Sequence, residues 1–274
     1  MQEPQGRLSR RPEHRIFRNI LSLVALILVF ALFSCGRPQS SLQSQSPRTG
    51  IVDGEVSSGN EQWAHSIVGI GQRHKDGTFE IDCTGTLIEP TLVITAAHCL
   101  HDPAKDIFVI FGLNDDAPIA IRETVKTALH EKYDRNSTNE EKKDIFDIGL
   151  IRFKDAPPAG YVPIPILNDY SLLRNGMQVT IAGFGQTDAK KDASSGILHH
   201  TKITLTDVNY SPTEIYGDES KSAACFGDSG GPLMTEVNGR FVIWGTISRG
   251  DSDCKSYGIY TRIDVYRNWI ITHE

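Results

Sequence analysis

Short runs of β-forming residues, separated by turn residues, dominate the chain after residue 50. Apolar and β-branched residues make up each run, and Gly, Asp, Asn or Pro separate one run from the next. Strands of this length and spacing are typical of a β-sandwich or of β-barrels, and periodicity alone leaves both architectures open. Examples of these predicted strands span residues 66–70, 85–88, 92–95, 107–111, 148–153, 178–182, 202–206, 240–247 and 258–261.

One long helix is predicted, at the C-terminus. Ile263, Tyr266, Trp269, Ile270 and His273 recur at helical spacing, which places most of these side chains on one face. No internal repeat and no low-complexity tract interrupts this part of the sequence. The body of the chain is therefore predicted to be all-β with a helical end.

Composition and charge narrow the classes of protein further. The chain is 39% hydrophobic and 23% charged, which is enough apolar material for a real core and excludes disorder over the whole length. The formal net charge is −6, although the N-terminal segment is rich in arginine. An acidic body argues against nucleic acid as the main partner.

The first 34 residues have the pattern of an export signal. Five arginines precede residues 20–33, which are all apolar except Ser22. This stretch is short for a membrane span, which needs about 20 residues, but it suits the apolar region of a signal peptide. We therefore predict a signal peptide over residues 1–34, with an uncleaved membrane anchor as the alternative.

Residues 32–36 (LFSCG) resemble a bacterial lipobox, in which the cysteine is lipidated and becomes the mature N-terminus. Ser34 fits that pattern, whereas Phe33 is bulkier than usual. Residues 35–50 are rich in Ser, Gln and Pro, as in a tether or a propeptide. The predicted location is outside the cytoplasm, either as a bacterial cell-envelope lipoprotein held to the membrane through Cys35 or as a secreted protein after processing. Ordinary signal cleavage near this point is the alternative.

The five cysteines favour disulfides over a metal site. None of them forms a CxxC pair, so a zinc ribbon or a thioredoxin motif is not indicated. An odd number of cysteines in an exported protein suggests two disulfides and one cysteine with another fate, and four cysteines can pair in three ways. His199 and His200 are a weak indication of a metal site, because two adjacent histidines on a strand point to opposite faces, so we assign no metal and no cofactor.

Three local segments carry residues suited to nucleophilic catalysis: 95–99 (TAAHC), 147–150 (DIGL) and 227–232 (GDSGGP). A serine hydroxyl is a poor nucleophile at neutral pH and needs a base beside it, for which histidine is suited. The histidine in turn needs a carboxylate that fixes its tautomer, and a glycine-rich turn lets backbone N–H groups approach the substrate. Taken alone, the histidine and the aspartate could each be structural.

Together the segments resemble the trypsin/chymotrypsin family of serine endopeptidases, whose order along the chain is His, Asp, Ser. The resemblance extends over residues 51–274. Residues 51–54 (IVDG) are similar to the mature N-terminus of the family, with Asp53 in place of a usual glycine. Residues 183–187 (GFGQT) are similar to another family segment, with Phe184 in place of tryptophan.

The resemblance implies two six-stranded antiparallel β-barrels with the active site between them. His98 and Asp147 would come from the first barrel and the nucleophile Ser229 from the second. The N–H groups of Gly227 and Ser229 would form the oxyanion hole. The family's disulfides imply the pairs Cys83–Cys99 and Cys225–Cys254, which leave Cys35 unpaired.

The resemblance also assigns the pocket for the side chain before the scissile bond. Trypsin-like members have an aspartate where this chain has Ala223, so we expect an open, apolar pocket that favours Phe, Tyr, Leu or Met. Asp251 and Asp253 lie nearby and could restore some preference for basic side chains. Arg249 replaces a tryptophan, either by loop drift or as a preference for acidic residues further upstream in the substrate. The assigned pocket residues are Ala223, Ala224, Ser248, Gly250 and Gly258.

Family members are made as inactive zymogens. Cleavage before Ile51 would free an ammonium group that pairs with Asp228 and orders the active site. Gly50 precedes Ile51, and a tryptic cut after Arg48 would leave two extra residues, so another activating protease is expected. We hypothesise a tethered zymogen that is released on activation and acts on protein or peptide substrates. The alternatives are an inactive binding protein on the same fold and a protease that cuts a single partner.

Overall fold

The computed structural model describes residues 51–100, 106–134, 143–190 and 195–274. The predicted signal peptide, the tether and Cys35 lie outside the described residues. Within the described ranges, no helix is both long and apolar enough to cross a membrane.

The first half of the described chain forms a closed antiparallel barrel in the order β2-β3-β4-β7-β6-β5, with β5 paired back to β2. Alternate side chains fill its interior, including those of Val68, Val93, Phe111 and Ile151, which are fully buried. The six strands are β2 (Ile67–Arg73), β3 (Phe79–Glu89), β4 (Leu92–Thr95), β5 (Ile107–Phe111), β6 (Ala120–Leu129) and β7 (Gly149–Phe153).

The second half forms another closed barrel, because β8 pairs with both β9 and β11. A strand of two residues, β1 (Glu55–Val56), also pairs with β9. The predicted architecture of two six-stranded antiparallel barrels is therefore confirmed. The strands are β8 (Gln178–Gly183), β9 (His199–Asp207), β10 (Glu214–Asp218), β11 (Pro232–Val237), β12 (Arg240–Gly250) and β13 (Tyr257–Arg262).

All nine predicted strands are present, with ends shifted by up to six residues. Four further strands, β1, β6, β10 and β11, were not among the examples given above. The terminal helix α1 (Arg267–His273) is shorter than predicted, because residues Asp264–Tyr266 form a 3-10 turn before it. Ile263, Tyr266 and Ile270 are nevertheless buried, as the amphipathic pattern indicated.

One apolar cluster joins the two barrels and α1. It contains Ile94 and Leu150 from the first barrel, Met234 and Ile243 from the second, and Ile270 from α1, each no more than 5% exposed. Burial of a side chain of this size stabilises the folded state by about 1.5–3 kcal/mol. This shared core therefore fixes the two barrels against each other along the cleft described below.

Two disulfides are present, Cys83–Cys99 and Cys225–Cys254, as the resemblance implies. The first joins β3 to the turn that follows β4. The second joins the loop before β11 to the loop between β12 and β13. Both cross-links therefore border the loops that carry the predicted functional residues.

Candidate active site

His98 lies on a 3-10 turn, Ala97–Leu100, directly after β4. Its neighbour Cys99 is bonded to β3, which restrains the turn. The backbone N–H of His98 donates to Asp147 Oδ1 at 2.9 Å, and Nδ1 lies 2.8 Å from Asp147 Oδ2. One carboxylate thus fixes both the main chain and the ring of His98. With the Nδ1 proton donated to Asp147, Nε2 is the nitrogen left to accept a proton.

Asp147 is buried just before β7, with 1% of its surface exposed. Besides the two bonds from His98, its Oδ2 accepts a hydrogen bond from Ser248 Oγ at 2.7 Å. Its backbone carbonyl accepts one from Thr261 Oγ1 at 3.0 Å. Burial raises the pKa of this carboxyl, but the charge of His98 and the three hydrogen bonds outweigh burial and lower the pKa below the ordinary value. Asp147 is therefore ionised at neutral pH.

The same pair sets the titration of His98. Burial lowers the pKa of the imidazole, but the negative charge of Asp147 and its hydrogen bond outweigh burial, so the pKa of His98 is raised above 6.5. A raised pKa makes the ring a stronger base. The neutral ring that can take a proton is then populated above that pKa.

Ser229 sits in the glycine-rich loop between the disulfide-bonded Cys225 and β11. Thr84 of the first barrel clamps this loop: its N–H donates to Ser229 O at 2.9 Å, and its Oγ1 donates to Gly227 O at 2.9 Å. Gly230 has φ +79°, and a Cβ there would lie 2.0 Å from Thr95 Oγ1. Only glycine fits at that position, so the loop sequence follows from its path between the barrels.

Within the described part of the chain, the backbone N–H groups of Gly227 and Ser229 have no hydrogen-bond acceptor. Gly227 has φ +98°, a backbone conformation that favours glycine, and its N–H group and that of Ser229 belong to the same turn. Two unpaired backbone donors beside a serine can stabilise negative charge on an oxygen atom bound there.

A cleft of about 550 Å³ lies between the barrels. His98, Asp147 and Ile145 line it from the first barrel, and Ser229 and Ser248 line it from the second. The three residues of the predicted triad, which are far apart in the sequence, thus share one cleft.

Of the five residues assigned to the substrate pocket, Ala224, Ser248 and Gly250 line the cleft. The other two lie behind the surface. Ala223 is 1% exposed and pairs with Val52 through backbone hydrogen bonds of 2.9 and 3.1 Å. Gly258 pairs with Gly250 across β12 and β13.

Asp251 also lines the cleft, but its carboxylate is used within its own loop. It accepts hydrogen bonds from the backbone N–H groups of Asp253, Lys255 and Ser256 at 2.5–3.1 Å. Burial raises the pKa of Asp251, but these hydrogen bonds outweigh burial and lower the pKa below the ordinary value. This side chain therefore shapes the loop.

Glu219 is a cleft residue that the sequence analysis missed. It is 2% exposed, the Tyr260 hydroxyl donates to its Oε1, and the Ala224 N–H donates to its Oε2 at 3.1 Å. A Cβ on Gly258 would lie 2.5 Å from Oε1, so the carboxyl occupies the space that a side chain at that position would need. The polar segment 218–221 (DESK) is typical of a solvated turn, and no local pattern indicates that one of its carboxyls is buried.

Arg249 is held by a second buried glutamate. Its Nη1 lies 2.7 Å from Glu214 Oε1 and its Nη2 lies 3.1 Å from Oε2, a bidentate pair. The Glu214 side chain is 1% exposed and that of Arg249 13%. The charge of Arg249 is therefore already balanced within the protein, which weakens the idea that it selects acidic substrate residues.

Ile51 is fully buried and packs in the core of the second barrel, although it is still joined to Gly50 and has no free ammonium group. Its neighbour Val52 pairs with Ala223, two residues before Cys225. Asp228 accepts hydrogen bonds from the Cys225 and Gly185 N–H groups, both at 2.8 Å. Burial raises the pKa of Asp228 to about 7, and these two amides are its only partners among the described residues.

One group of three metal-ligand residues occurs in the described ranges: Cys83, His98 and Cys99. The two sulfur atoms are bonded to each other, so neither can act as a thiolate ligand. The group belongs to the disulfide beside the candidate active site, and we assign no metal to it.

Comparison with known proteins agrees with this geometry. The family described as Trypsin matches residues 51–270. Chymotrypsin from Phaedon cochleariae is 31% identical over 241 residues, which cover 80% of this chain and 82% of that protein. Vitamin K-dependent protein C from Oryctolagus cuniculus is 25% identical over 256 residues, covering 81% of this chain and 52% of its own length. Urokinase-type plasminogen activator from Gallus gallus is 30% identical over 231 residues, covering 71% and 51%.

The chain thus spans most of the first relative but only about half of the other two. All three are animal proteins, so the bacterial origin inferred from the lipobox stays a prediction. The family match covers most of the described residues, including both barrels and the cleft between them. The chain belongs to the trypsin family and is a serine endopeptidase, a hydrolase of peptide bonds.

Proposed function

We propose that the protein hydrolyses peptide bonds with Ser229 as nucleophile, His98 as general base and acid, and Asp147 as the group that orients His98. The observation that carries this proposal is the pair of hydrogen bonds from His98 to Asp147, at 2.8 and 2.9 Å, in a cleft that Ser229 also lines. A histidine held in this way keeps one tautomer and one ring orientation, which general-base catalysis requires.

In the proposed reaction, Ser229 Oγ attacks the scissile carbonyl and passes its proton to His98 Nε2. The C–N bond then breaks, the leaving amine takes that proton, and an acyl-enzyme remains on Ser229. Water enters, loses a proton to His98 and attacks the ester. As the C–O bond breaks, His98 gives that proton to Ser229 Oγ, which releases the acid and restores both side chains. The N–H groups of Gly227 and Ser229 stabilise the oxyanion in both halves, and each such donor is worth roughly 10²–10³-fold in rate.

The substrates that we propose are proteins or peptides with an apolar or aromatic side chain before the scissile bond. Alanine at 223 and 224 keeps a larger or charged group out of the pocket wall. Gly250 and Gly258 pair across adjacent strands and leave that wall without side chains. The exposed Phe226 adds apolar surface at the rim of the cleft.

We further propose that the enzyme is made as a zymogen and activated by cleavage before Ile51. Asp228 is buried without a positive partner in the described part of the chain, and Ile51 packs in the same barrel. An ammonium group freed at Ile51 would supply that partner. Because Gly50 precedes the bond, the activating protease is not of tryptic specificity. In an exported protein lipidated at Cys35, cleavage before Ile51 would also release the protease domain from the membrane.

The test compares the wild type with Ser229→Ala, using residues 36–274 processed to begin at Ile51 and chromogenic peptides with Phe or Leu before the bond. Ser58→Ala, at an exposed serine, is the matched control. We expect kcat to fall by roughly 10⁶-fold in Ser229→Ala and to stay unchanged in the control. Equal activity of Ser229→Ala and wild type, or no cleavage by the correctly processed wild type, would overturn the proposal.

A further inference from the structure

The pocket beside the proposed nucleophile contains a buried carboxyl that the reaction does not use. Glu219 lines the cleft with Ser229, Ala224 and Gly250. Its hydrogen-bond partners are Ala224 and Tyr260, and neither His98 nor Asp147 is among them. Its two oxygens are held by Tyr260 and by the Ala224 N–H, so the head group has a fixed orientation. A fixed, buried polar group in a binding cleft is an ordinary determinant of specificity.

The position of Glu219 is the base of the pocket. Ala224 and Gly250 line the cleft, and Gly258 pairs with Gly250 on the neighbouring strand. The Oε1 atom of Glu219 lies in the space that a side chain at Gly258 would fill, 2.5 Å from the position of its Cβ. A long side chain that enters between Ala224 and Gly250 therefore points toward this carboxyl.

The charge of Glu219 has no cation to balance it within the described residues. The groups that face it are Tyr260, whose hydroxyl donates to it, and two acidic side chains, Asp228 and Asp251. Glu214 is equally buried but is paired with Arg249. Two buried glutamates thus lie in neighbouring segments, and only the one in the cleft lacks a positive partner. An ionised carboxylate there is strongly stabilised only when a cation arrives from outside.

Resting on the proposed function, we propose that Glu219 is a specificity-determining residue that lets the pocket also accept Lys or Arg before the scissile bond, with its carboxylate as counter-ion. The aspartate that trypsin-like members use is absent at Ala223. Here the carboxylate comes from a residue four positions earlier in the chain and lies beside Gly258.

With Glu219 in this position, the preference between a basic and an apolar side chain before the scissile bond depends on pH. Burial, together with the nearby Asp228 and Asp251, raises the pKa of Glu219 to about 8 despite its two hydrogen bonds. Below that pH the carboxyl is neutral, and an apolar side chain can bind against it without cost. A basic side chain binds only as Glu219 releases its proton to solvent, so its binding strengthens about tenfold per pH unit up to about 8 and is constant above.

The experiment measures kcat/KM for two peptides that differ only in Lys or Phe before the bond, between pH 6 and 9. The ratio of the two values cancels the titration of His98 and of the N-terminal ammonium, because both act on either substrate. For the wild type, we expect the Lys/Phe ratio to rise about 50-fold from pH 6 to 8 and by about a further factor of two up to pH 9. In Glu219→Gln the ratio should be flat and at least tenfold lower than that of the wild type at pH 8, with Phe cleavage retained.

Glu236→Gln removes an exposed negative charge on β11 from a residue that does not line the cleft, and is the matched control, for which the wild-type ratio is expected. A ratio in Glu219→Gln equal to the wild-type ratio, or a wild-type ratio that does not change with pH, would overturn the proposal. Loss of all cleavage by the wild type would instead contradict the proposed function itself.

A second measurement does not require the variant to fold. Benzylamine and benzyl alcohol, a cation and its neutral analogue of similar shape, are used as competitive inhibitors of Phe-peptide cleavage by the wild type. We expect the inhibition constant of benzylamine to fall about tenfold per pH unit between 6 and 8, while that of benzyl alcohol stays constant. Parallel behaviour of the two compounds would refute the role of Glu219.

Discussion

Cleavage before Ile51 should change how the stability of the protein depends on pH, and the structure sets the size of this effect. Asp228 is fully buried, and its pKa is raised from 3.8 to about 7 in the continuous chain. In the unfolded chain the carboxyl ionises near its ordinary pKa. Between about pH 4 and 7 the folded state therefore holds a proton that the unfolded state has lost, and the free energy of unfolding falls as pH rises. The difference in pKa corresponds to about 4 kcal/mol at pH 7 and above.

An ammonium group at Ile51 would prevent this fall in the free energy of unfolding, because an adjacent cation lowers the pKa of Asp228. The cleaved form should therefore be about 4 kcal/mol more stable than the uncleaved form at pH 8, and nearly equal to it at pH 4. Urea unfolding at several pH values measures both, with Ser229→Ala in each protein to prevent self-digestion. A processing site engineered directly before Ile51 provides the cleaved form.

The control is a chain that begins at Thr49, the product of a tryptic cut after Arg48. It also has a free ammonium, but two residues away from the place required, so it should behave like the uncleaved form. The reasoning is refuted if all three proteins show the same dependence on pH, or if the chain that begins at Thr49 is as stable as the one that begins at Ile51.

Three further predictions concern the cleft and its supports. Because Asp147 raises the pKa of His98, kcat/KM should rise with pH through a value above 6.5, and Asp147→Asn should lower kcat by about 10⁴-fold; a rise centred below 6.5 in the wild type contradicts the assigned pair. Gly230→Ala places a Cβ 2.0 Å from Thr95 Oγ1 and 2.4 Å from Thr84 O, so urea unfolding should show a loss of more than about 3 kcal/mol, and a loss below about 1 kcal/mol would contradict the described loop. Arg249→Met leaves Glu214 buried and unpaired and should cost about 3–5 kcal/mol, whereas the double variant with Glu214→Met should recover most of that loss; an equally unstable double variant would argue against the ion pair.

The strands that the sequence analysis found are those with a clear apolar run. The missed strand β6 contains Arg122, Glu123 and Lys126, and most of its residues are partly or fully exposed on the outside of the barrel. Its hydrophobic pattern is therefore weak, and it is a strand because it pairs with β5 and β7. Strand β11 begins at Pro232, which belongs to the glycine-rich motif. The sequence there indicates a turn, so the start of the strand is not recognisable from the pattern. Pairing between distant segments, which periodicity does not encode, determines both strands.

The residues of the candidate site also differ in whether the sequence alone indicates them. His98, Asp147 and Ser229 stand in short local motifs, so the sequence alone indicates them. Glu219 does not, because its burial depends on the pairing of β10 with β13, which brings Asp218 opposite Tyr257 and so carries the glutamate toward Tyr260. An apolar pocket was expected from Ala223, but the carboxyl at its base comes from a residue that looks like part of a solvated turn.

The most direct test of the central claim is covalent labelling of the chain that begins at Ile51 with a fluorophosphonate, followed by intact-mass and peptide mass spectrometry. This reagent reacts with serines that an adjacent base has activated, with loss of fluoride. The account predicts one adduct per chain, on Ser229, absent in Ser229→Ala and formed far more slowly in His98→Ala. Peptide hydrolysis without an adduct, or an adduct on any other serine with Ser229 unmodified, would contradict it.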